Sequence, residues 1–267
     1  MFTLYDGTTS VCAIKVRIVL AEKSLVWESR TLDLRKGDQF DPGYLKINPG
    51  AVVPTLIHKS LNRDKIIRES SEIMLYLENI VPDPTLMPIN SCSKSKMINW
   101  MNRIDNPLHP ATGVLTHATA FRPSFLSKSL DEQEKHLKKI PDLGRRGRQR
   151  SVYTDGLDSP IVAEAIRCFE AFFSEMDQSL SRHEWLSGPT YSLADAAATP
   201  YVNRIRDLRL FQLWGKKYPS VSSWLRRMES RSSFKVAITD YFSDKDRAQF
   251  EAIGTDIVGQ AQRILET

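Results

Sequence analysis

Thr9-Ser10-Val11-Cys12 sets a hydroxyl and a thiol close together, where a short apolar strand pattern gives way to the helical run ending near Lys23. Either side chain can do sulfur chemistry. The nucleophilic form of a thiol is the thiolate, and an ordinary thiol with pKa about 8.5 holds little of it at neutral pH. A hydroxyl at the start of a helix can stabilise a thiolate brought to it, by a charge-assisted hydrogen bond helped by the positive end of the helix dipole. Lowering a thiol by two pH units in this way requires about 2.7 kcal/mol. A cysteine in the first helical turn can instead form mixed disulfides itself, or can be a small buried residue without chemistry.

The elements that must position these groups read as β-α-β at the start. Phe2 to Tyr5 is a strand, Ser10 to Lys23 a helix whose polar side is Lys15, Arg17, Glu22 and Lys23, and Trp27 to Leu34 a second, parallel strand. Val52 to Lys59 and Lys65 to Ser70 are strand-like runs joined by the hairpin signal Ser-Leu-Asn-Arg-Asp at 60–64. A helix from Ser70 to Ile80 follows, with Ile73, Leu77 and Ile80 on one face. The prolines of Val81 to Pro88 mark a linker, so a boundary is expected near 82–92, giving domains 1–82 and 92–267.

Beyond the linker the strand signals vanish. Met97, Trp100, Met101 and Ile104 recur at helical spacing, and Pro107 and Pro110 should bend or end that helix. Ser159 and Pro160 start a helix as N-cap and first residue, with a core stripe of Val162, Ile166, Phe169, Phe173, Met176 and Leu180. Val221, Trp224, Leu225 and Met228 repeat the pattern, and Ser192 with Asp195 forms a capping box ahead of an alanine-rich run. Between these helices lies a polar insertion, 123–158. It holds a short amphipathic helix in Asp131 to Ile140 and an arginine patch, Leu143 to Ser151, which reads as a solvated loop because no aromatic residue interleaves it.

Composition narrows the class. The chain has 267 residues, 41% of them hydrophobic, enough for a sizeable core, and its net charge of +5 comes with no nucleic-acid motif. No membrane span and no secretory leader are expected. Cys12, Cys92 and Cys168 are scattered, which argues against a disulfide framework or a metal site and suits a reducing cytoplasm.

Taken together, the β-α-β-β-β-α order, Asn48 to Leu56 with its Val-Pro, Arg68-Glu69-Ser70-Ser71, and the Ser-Leu-Ala-Asp box at 192–195 resemble the cytosolic glutathione transferases. Ser10 to Lys23, Leu108 to Leu115 and the long insertion are similar to bacterial members, the lignin β-etherase group among them. The resemblance implies an α/β thioredoxin-like N-terminal domain and an all-α C-terminal domain. It further implies a cytoplasmic, detoxifying homodimer that uses glutathione as co-substrate, without a metal, on a hydrophobic or aromatic electrophile, by conjugation or aryl ether cleavage.

The same resemblance implies site roles. Before a cis Pro54 the backbone of Val53 would pair with an extended glutathione as an added strand. Glu69 would meet its amine, Ser70 its γ-glutamyl carboxylate at a helix start, and Gln39 its glycyl end. Members that use cysteine place it five residues before the position of Lys15, which here is Ser10, so the register favours Ser10 as the active group and leaves Cys12 to assist. The electrophile pocket would draw on Trp100, Met101, Ile104, His109, Leu115, Phe121 and Tyr201, though His109 also reads as a structural histidine. Arg103, Arg122 and Arg204 are candidates for an acidic substrate. The chain departs from the pattern at Ala51 and Val52, where a lysine or glutamine is common, and in its extra length. A cysteine-type glutathione oxidoreductase acting through Cys12, and a non-catalytic ligand-binding scaffold, remain alternatives.

Overall fold

A computed structural model describes residues 1–60, 63–253 and 257–266. Four strands, β1 (Phe2–Asp6), β2 (Trp27–Thr31), β3 (Thr55–His58) and β4 (Lys65–Ile67), form a mixed sheet in the order β2-β1-β3-β4. β1 and β2 are parallel, as the intervening helix α1 (Val11–Glu22) requires, and β3 runs antiparallel to both β1 and β4. The tip of the β3–β4 hairpin, Leu61 and Asn62, lies outside the described residues. A short helix not expected from sequence, α2 (Pro42–Ile47), forms between β2 and β3, started by Asp41 accepting from the Gly43 N–H with Pro42 in the first turn. Helix α3 (Ser70–Ile80) closes this layer. It buries Ile73, Met74 and Leu77, while Ile80 near its end is exposed.

The helical part comprises α4 (Ser91–Arg103), α5 (His109–Ala118), α6 (Arg122–Leu126), α7 (Leu130–Lys138), α8 (Leu143–Asp155), α9 (Pro160–Leu180), α10 (Leu193–Asp207), α11 (Pro219–Glu229), α12 (Ser232–Phe234), α13 (Asp244–Glu251) and α14 (Ile257–Glu266). The expected core stripe of α9 is buried throughout, as is that of α11. Ser159 occupies the N-cap position of α9 without capping it, because its hydroxyl pairs with that of Ser151 at 2.7 Å. The capping box at α10 is formed and enclosed. The Asp195 carboxylate accepts from the N–H groups of Ser192 (3.1 Å) and Leu186 (3.0 Å) and from Trp224 Nε1 (2.9 Å).

Helix α1 differs most from its sequence reading. It has no solvated polar side: Lys15 and Arg17 are fully buried and Lys23 nearly so. Each charge is matched by a carboxylate, Lys15 by Asp105 (2.7 Å), Arg17 by Asp6 (3.2 Å) and Lys23 by Glu78 (2.7 Å). The reason is position. α1 packs against α3, α10, α12 and the turn Lys235–Thr239, so its faces meet protein, and buried charges persist only when paired. The arginine patch is also not a solvated loop. It is the body of α8, begun by Asp142, whose side chain accepts from the Arg145 N–H.

Candidate active site

The loop from Gly7 to Ser10 joins β1 to α1 and is held from behind by its own carbonyls. Arg17 donates to Gly7 O (3.3 Å) and Thr8 O (2.8 Å), while Arg204 reaches Thr9 O. The Arg17 guanidinium also bonds Ala237 O at 3.0 Å and lies 3.9 Å from the Tyr241 ring centre, so the chain beyond α12 braces the loop. Ser10 emerges in extended conformation as the N-cap of α1, its Oγ accepting from the Ala13 N–H at 3.3 Å. With that lone pair engaged, the hydroxyl proton is available to an acceptor in front of the helix.

Cys12, half-buried two residues on in the first turn of α1, faces two side chains from the helical part. Its Sγ lies 3.5 Å from His109 Nδ1 and 3.7 Å from the Tyr201 hydroxyl, which is itself 3.3 Å from His109 Nδ1. The Lys15–Asp105 pair ties α1 to the kinked turn Ile104–Leu108, and His109 begins α5 directly after it. Burial would raise the Cys12 thiol. The charge of His109 and its hydrogen bond, with Lys15 and Tyr201, outweigh that and bring it down to about 6. The Cys12 thiolate in turn raises His109. His109 is therefore not the satisfied structural histidine of the sequence reading: it opens to the cavity and meets the thiol.

Ser10 and Cys12 border a cavity of about 340 Å³ between the sheet layer and the helices. Of the residues singled out from sequence, Gln39, Val53, His109, Phe121 and Arg204 also line it. The Val53–Pro54 bond is cis. The Val53 N–H and C=O find no hydrogen-bond partner among the described residues, since β3 begins only at Thr55 and the neighbouring acceptor bonded by Tyr44 and Asn48 is Val52 O. Gln39 gives its Nε2 to Leu34 O at 3.3 Å and leaves its enclosed Oε1 without a partner.

Glu69 and Ser70 do not line the cavity. They sit at the start of α3, where Glu69 holds φ 61°, a backbone conformation that costs an ordinary residue about 1–3 kcal/mol. Trp100 and Met101 are not pocket residues either. Trp100 Nε1 donates to Leu186 O at 3.0 Å and its ring meets Phe172 edge-on, while Met101 is buried in the core. Tyr201 is fully buried and reaches the site only through its hydroxyl. Arg103 pairs with Glu175, and Arg122 is taken up by the carbonyls of Tyr153 and Thr154.

Apart from His109 and Phe121, sequence reasoning missed the opposite wall. On α5, His109, Thr112, Gly113, Thr116 and His117 form one stripe, and on α8 Arg145, Arg148, Gln149 and Val152 form another; all line the cavity. Both stripes follow helical spacing and were readable as faces too polar for core. His117 bonds the Tyr153 hydroxyl (2.7 Å) and lies 3.1 Å from Gln149 Nε2. Burial, then the charges of His136, Arg204 and Arg145, push it down to about 3. His136 falls to about 4 by burial beside Lys128 and Lys139. Among the described residues there is no cluster of His, Cys, Asp or Glu suited to hold a metal ion, and no helix long and apolar enough to cross a membrane.

Comparison with known proteins gives the same architecture. The crystal structure of the β-etherase LigF from Sphingobium sp. strain SYK-6 superposes with a TM-score of 0.79 at 24% identity, covering 88% of this chain and 98% of that one. In sequence, LigF is 26% identical over 87% of this chain and 91% of its own length. The tetrachloro-p-hydroquinone reductive dehalogenase of Sphingobium chlorophenolicum is 24% identical over 88% and 94%. A glutathione transferase family member from Pseudomonas fluorescens, solved with two glutathione bound, superposes at TM-score 0.66 and 20% identity over 88% and 91%. The glutathione S-transferase N-terminal domain model matches residues 9–80 and the corresponding C-terminal domain model residues 158–232. These matches cover more than half of the chain in the expected order, over a thioredoxin-like sheet layer followed by helices, and so the chain belongs to the glutathione S-transferase family, whose co-substrate is glutathione.

Proposed function

We propose that this protein is a glutathione transferase of serine type, in which Ser10 activates the glutathione sulfur for attack on a carbon electrophile held against α5 and α8. The observation that carries this reading is one continuous cavity bordered by Ser10, by the unpaired backbone of Val53 and by the α5–α8 wall. Val53 offers an N–H and a C=O to an extended peptide, Gln39 Oε1 offers an acceptor, and the α3 start with Glu69 and Ser70 lies beyond them for the γ-glutamyl end. The sulfur then falls in front of α1, where the Ser10 proton and the helix dipole stabilise the thiolate. The names of the relatives, a β-etherase and a reductive dehalogenase, fit attack that displaces an aryl ether oxygen or a halide. Family resemblance supports a homodimer, which sedimentation would check.

The test is steady-state turnover of glutathione with aryl ethers and haloarenes. Ser10→Ala should lose about 100-fold or more in kcat/KM, the scale of one preorganised donor. Unchanged turnover in Ser10→Ala would sink the serine-type reading.

One specific observation supports a second reading: the Cys12 thiol, brought down to about 6, lies opposite His109 and Tyr201. Its thiolate can attack the sulfur of a glutathionyl adduct. The S–S bond of a Cys12–glutathione disulfide forms, the carbon–sulfur bond breaks, and the carbon takes up a proton. A second glutathione thiolate then releases oxidised glutathione and restores Cys12. In this reading Cys12→Ser stops at the conjugate, and mass spectrometry of the wild-type protein finds Cys12 carrying glutathione during turnover.

A further inference from the structure

The α5–α8 wall carries more positive charge than its surroundings use. Among the residues lining the cavity, Arg35, Lys128, Arg145, Arg148 and Arg204 face a single carboxylate, Asp33. Arg35 is bound by Asp246 at 2.8 Å, Lys128 reaches Arg35 O at 3.4 Å, and Arg204 bridges Thr9 O and Thr116 Oγ1. Arg145 and Arg148 differ. Neither guanidinium has an acceptor or an ion-pair partner among the described residues, and the Arg145 Nε is enclosed without a partner. The nearest acid, Asp142, caps the backbone of Arg145 itself.

Arg145 is half-buried and Arg148 exposed; burial lowers Arg145, the attraction of Asp142 opposes this in part, and the repulsion of Arg148 adds to it. An anion placed between them would give the enclosed Arg145 Nε an acceptor and draw in the free guanidinium of Arg148. The stripe places Arg145, Arg148 and Gln149 together, and the rings of Phe121, Phe125 and Tyr153 stand beside them. Phe121 and Tyr153 each pack edge-on against His117 with centroids 5.3 Å apart. An aromatic ring with an acidic substituent matches that surface in shape and charge.

We propose that the second substrate is an aromatic compound bearing a carboxylate or another anionic group, and that Arg145 and Arg148 of α8 receive that group while the ring lies against Phe121, Phe125 and Tyr153. This deepens the transferase reading and rests on it for the place of the reacting sulfur. Residues 81–157, which carry this wall, fall between the two stretches matched by the family models. The arginines are thus specificity residues of the insertion.

Equilibrium titration of the full chain tests the assignment with two pairs of ligands. S-(4-carboxybenzyl)glutathione is compared with S-benzylglutathione, which share the glycyl carboxylate and differ only at the ring. 4-Nitrobenzoate is compared with 4-nitrobenzamide in the absence of glutathione. The acidic member of each pair should bind about tenfold or more tightly, the scale of a charge-assisted bidentate contact. Arg145→Met with Arg148→Met should bring each ratio close to one, and Arg145→Lys should keep part of the preference, with thermal melting confirming that the variants are folded. Conjugates that bind without preference, or a preference that survives the double substitution, overturn the proposal and leave the glutathione reading standing. Failure of both conjugates to bind, with an arginine-dependent preference for 4-nitrobenzoate, would instead overturn the glutathione reading and keep the anion site.

Discussion

On the α1 side of the cavity, each buried charge has its counterpart: Lys15 with Asp105, Arg17 with Asp6, Lys23 with Glu78. The loop carbonyls that precede Ser10 are fixed by two guanidinium groups, and α1 itself sits in the main core that runs through both layers. On the α5–α8 side, α5 and Val152 of α8 join that main core, while Phe125, Leu137, Ile140 and Tyr153 form a small separate cluster, and Arg145 and Arg148 have no ion-pair partner among the described residues. The difference teaches how labour is divided. The wall that holds the sulfur chemistry is over-determined, as preorganised donors must be. The wall that would choose the second substrate shares the core but leaves two guanidinium groups without an ion-pair partner among the described residues.

That contrast can be broken most severely at Arg17. Arg17→Met leaves Asp6 buried and uncompensated and frees the Gly7 and Thr8 carbonyls, so chemical denaturation should show a loss of about 3–5 kcal/mol. Next in size is Ser10→Ala. The 100-fold loss of kcat/KM corresponds to about 2.7 kcal/mol of transition-state stabilisation, while loss of the cap costs only about 1 kcal/mol in stability. A thermal melt beside the kinetics separates the two.

His109→Ala sharpens the electrostatic account of Cys12. In the wild type the thiol titrates near 6, so alkylation should be slow below that pH and rise through it to a plateau. Removing the imidazolium should move this profile upward by at least about 1 unit, toward an ordinary thiol. An unmoved profile would mean that His109 is not the charge that matters. The smallest effect is expected on the other wall: Arg148→Ala should change stability by no more than about 0.5 kcal/mol, since its guanidinium holds no partner among the described residues.

Local patterns made much of the fold readable. The stripes of α9 and α11, the capping box at Ser192 and Asp195, and the parallel β1–β2 pair all follow from side-chain periodicity and helix-end chemistry. The burial of Lys15 was not readable, because its partner Asp105 is remote in the chain; Arg17 has Asp6 nearby, but the Ala237 carbonyl that encloses it comes from far along the chain. The site divides in the same way. Ser10, Cys12, Gln39 and Val53 stand out locally and do border the cavity. The meeting of Cys12 with His109 and Tyr201 is a long-range contact that no spacing announces. The resemblance puts Trp100 and Met101 in the pocket, but their helix turns that face to the core.

The account stands most directly on the state of the glutathione sulfur. The ultraviolet thiolate band should be recorded on adding glutathione to Cys12→Ser, which removes the protein's own thiolate, and to Cys12→Ser with Ser10→Ala. A band at neutral pH in the first that disappears in the second, with binding retained, is the predicted result. Bound glutathione that remains a thiol in Cys12→Ser, or a thiolate that persists without Ser10, would contradict activation at the start of α1.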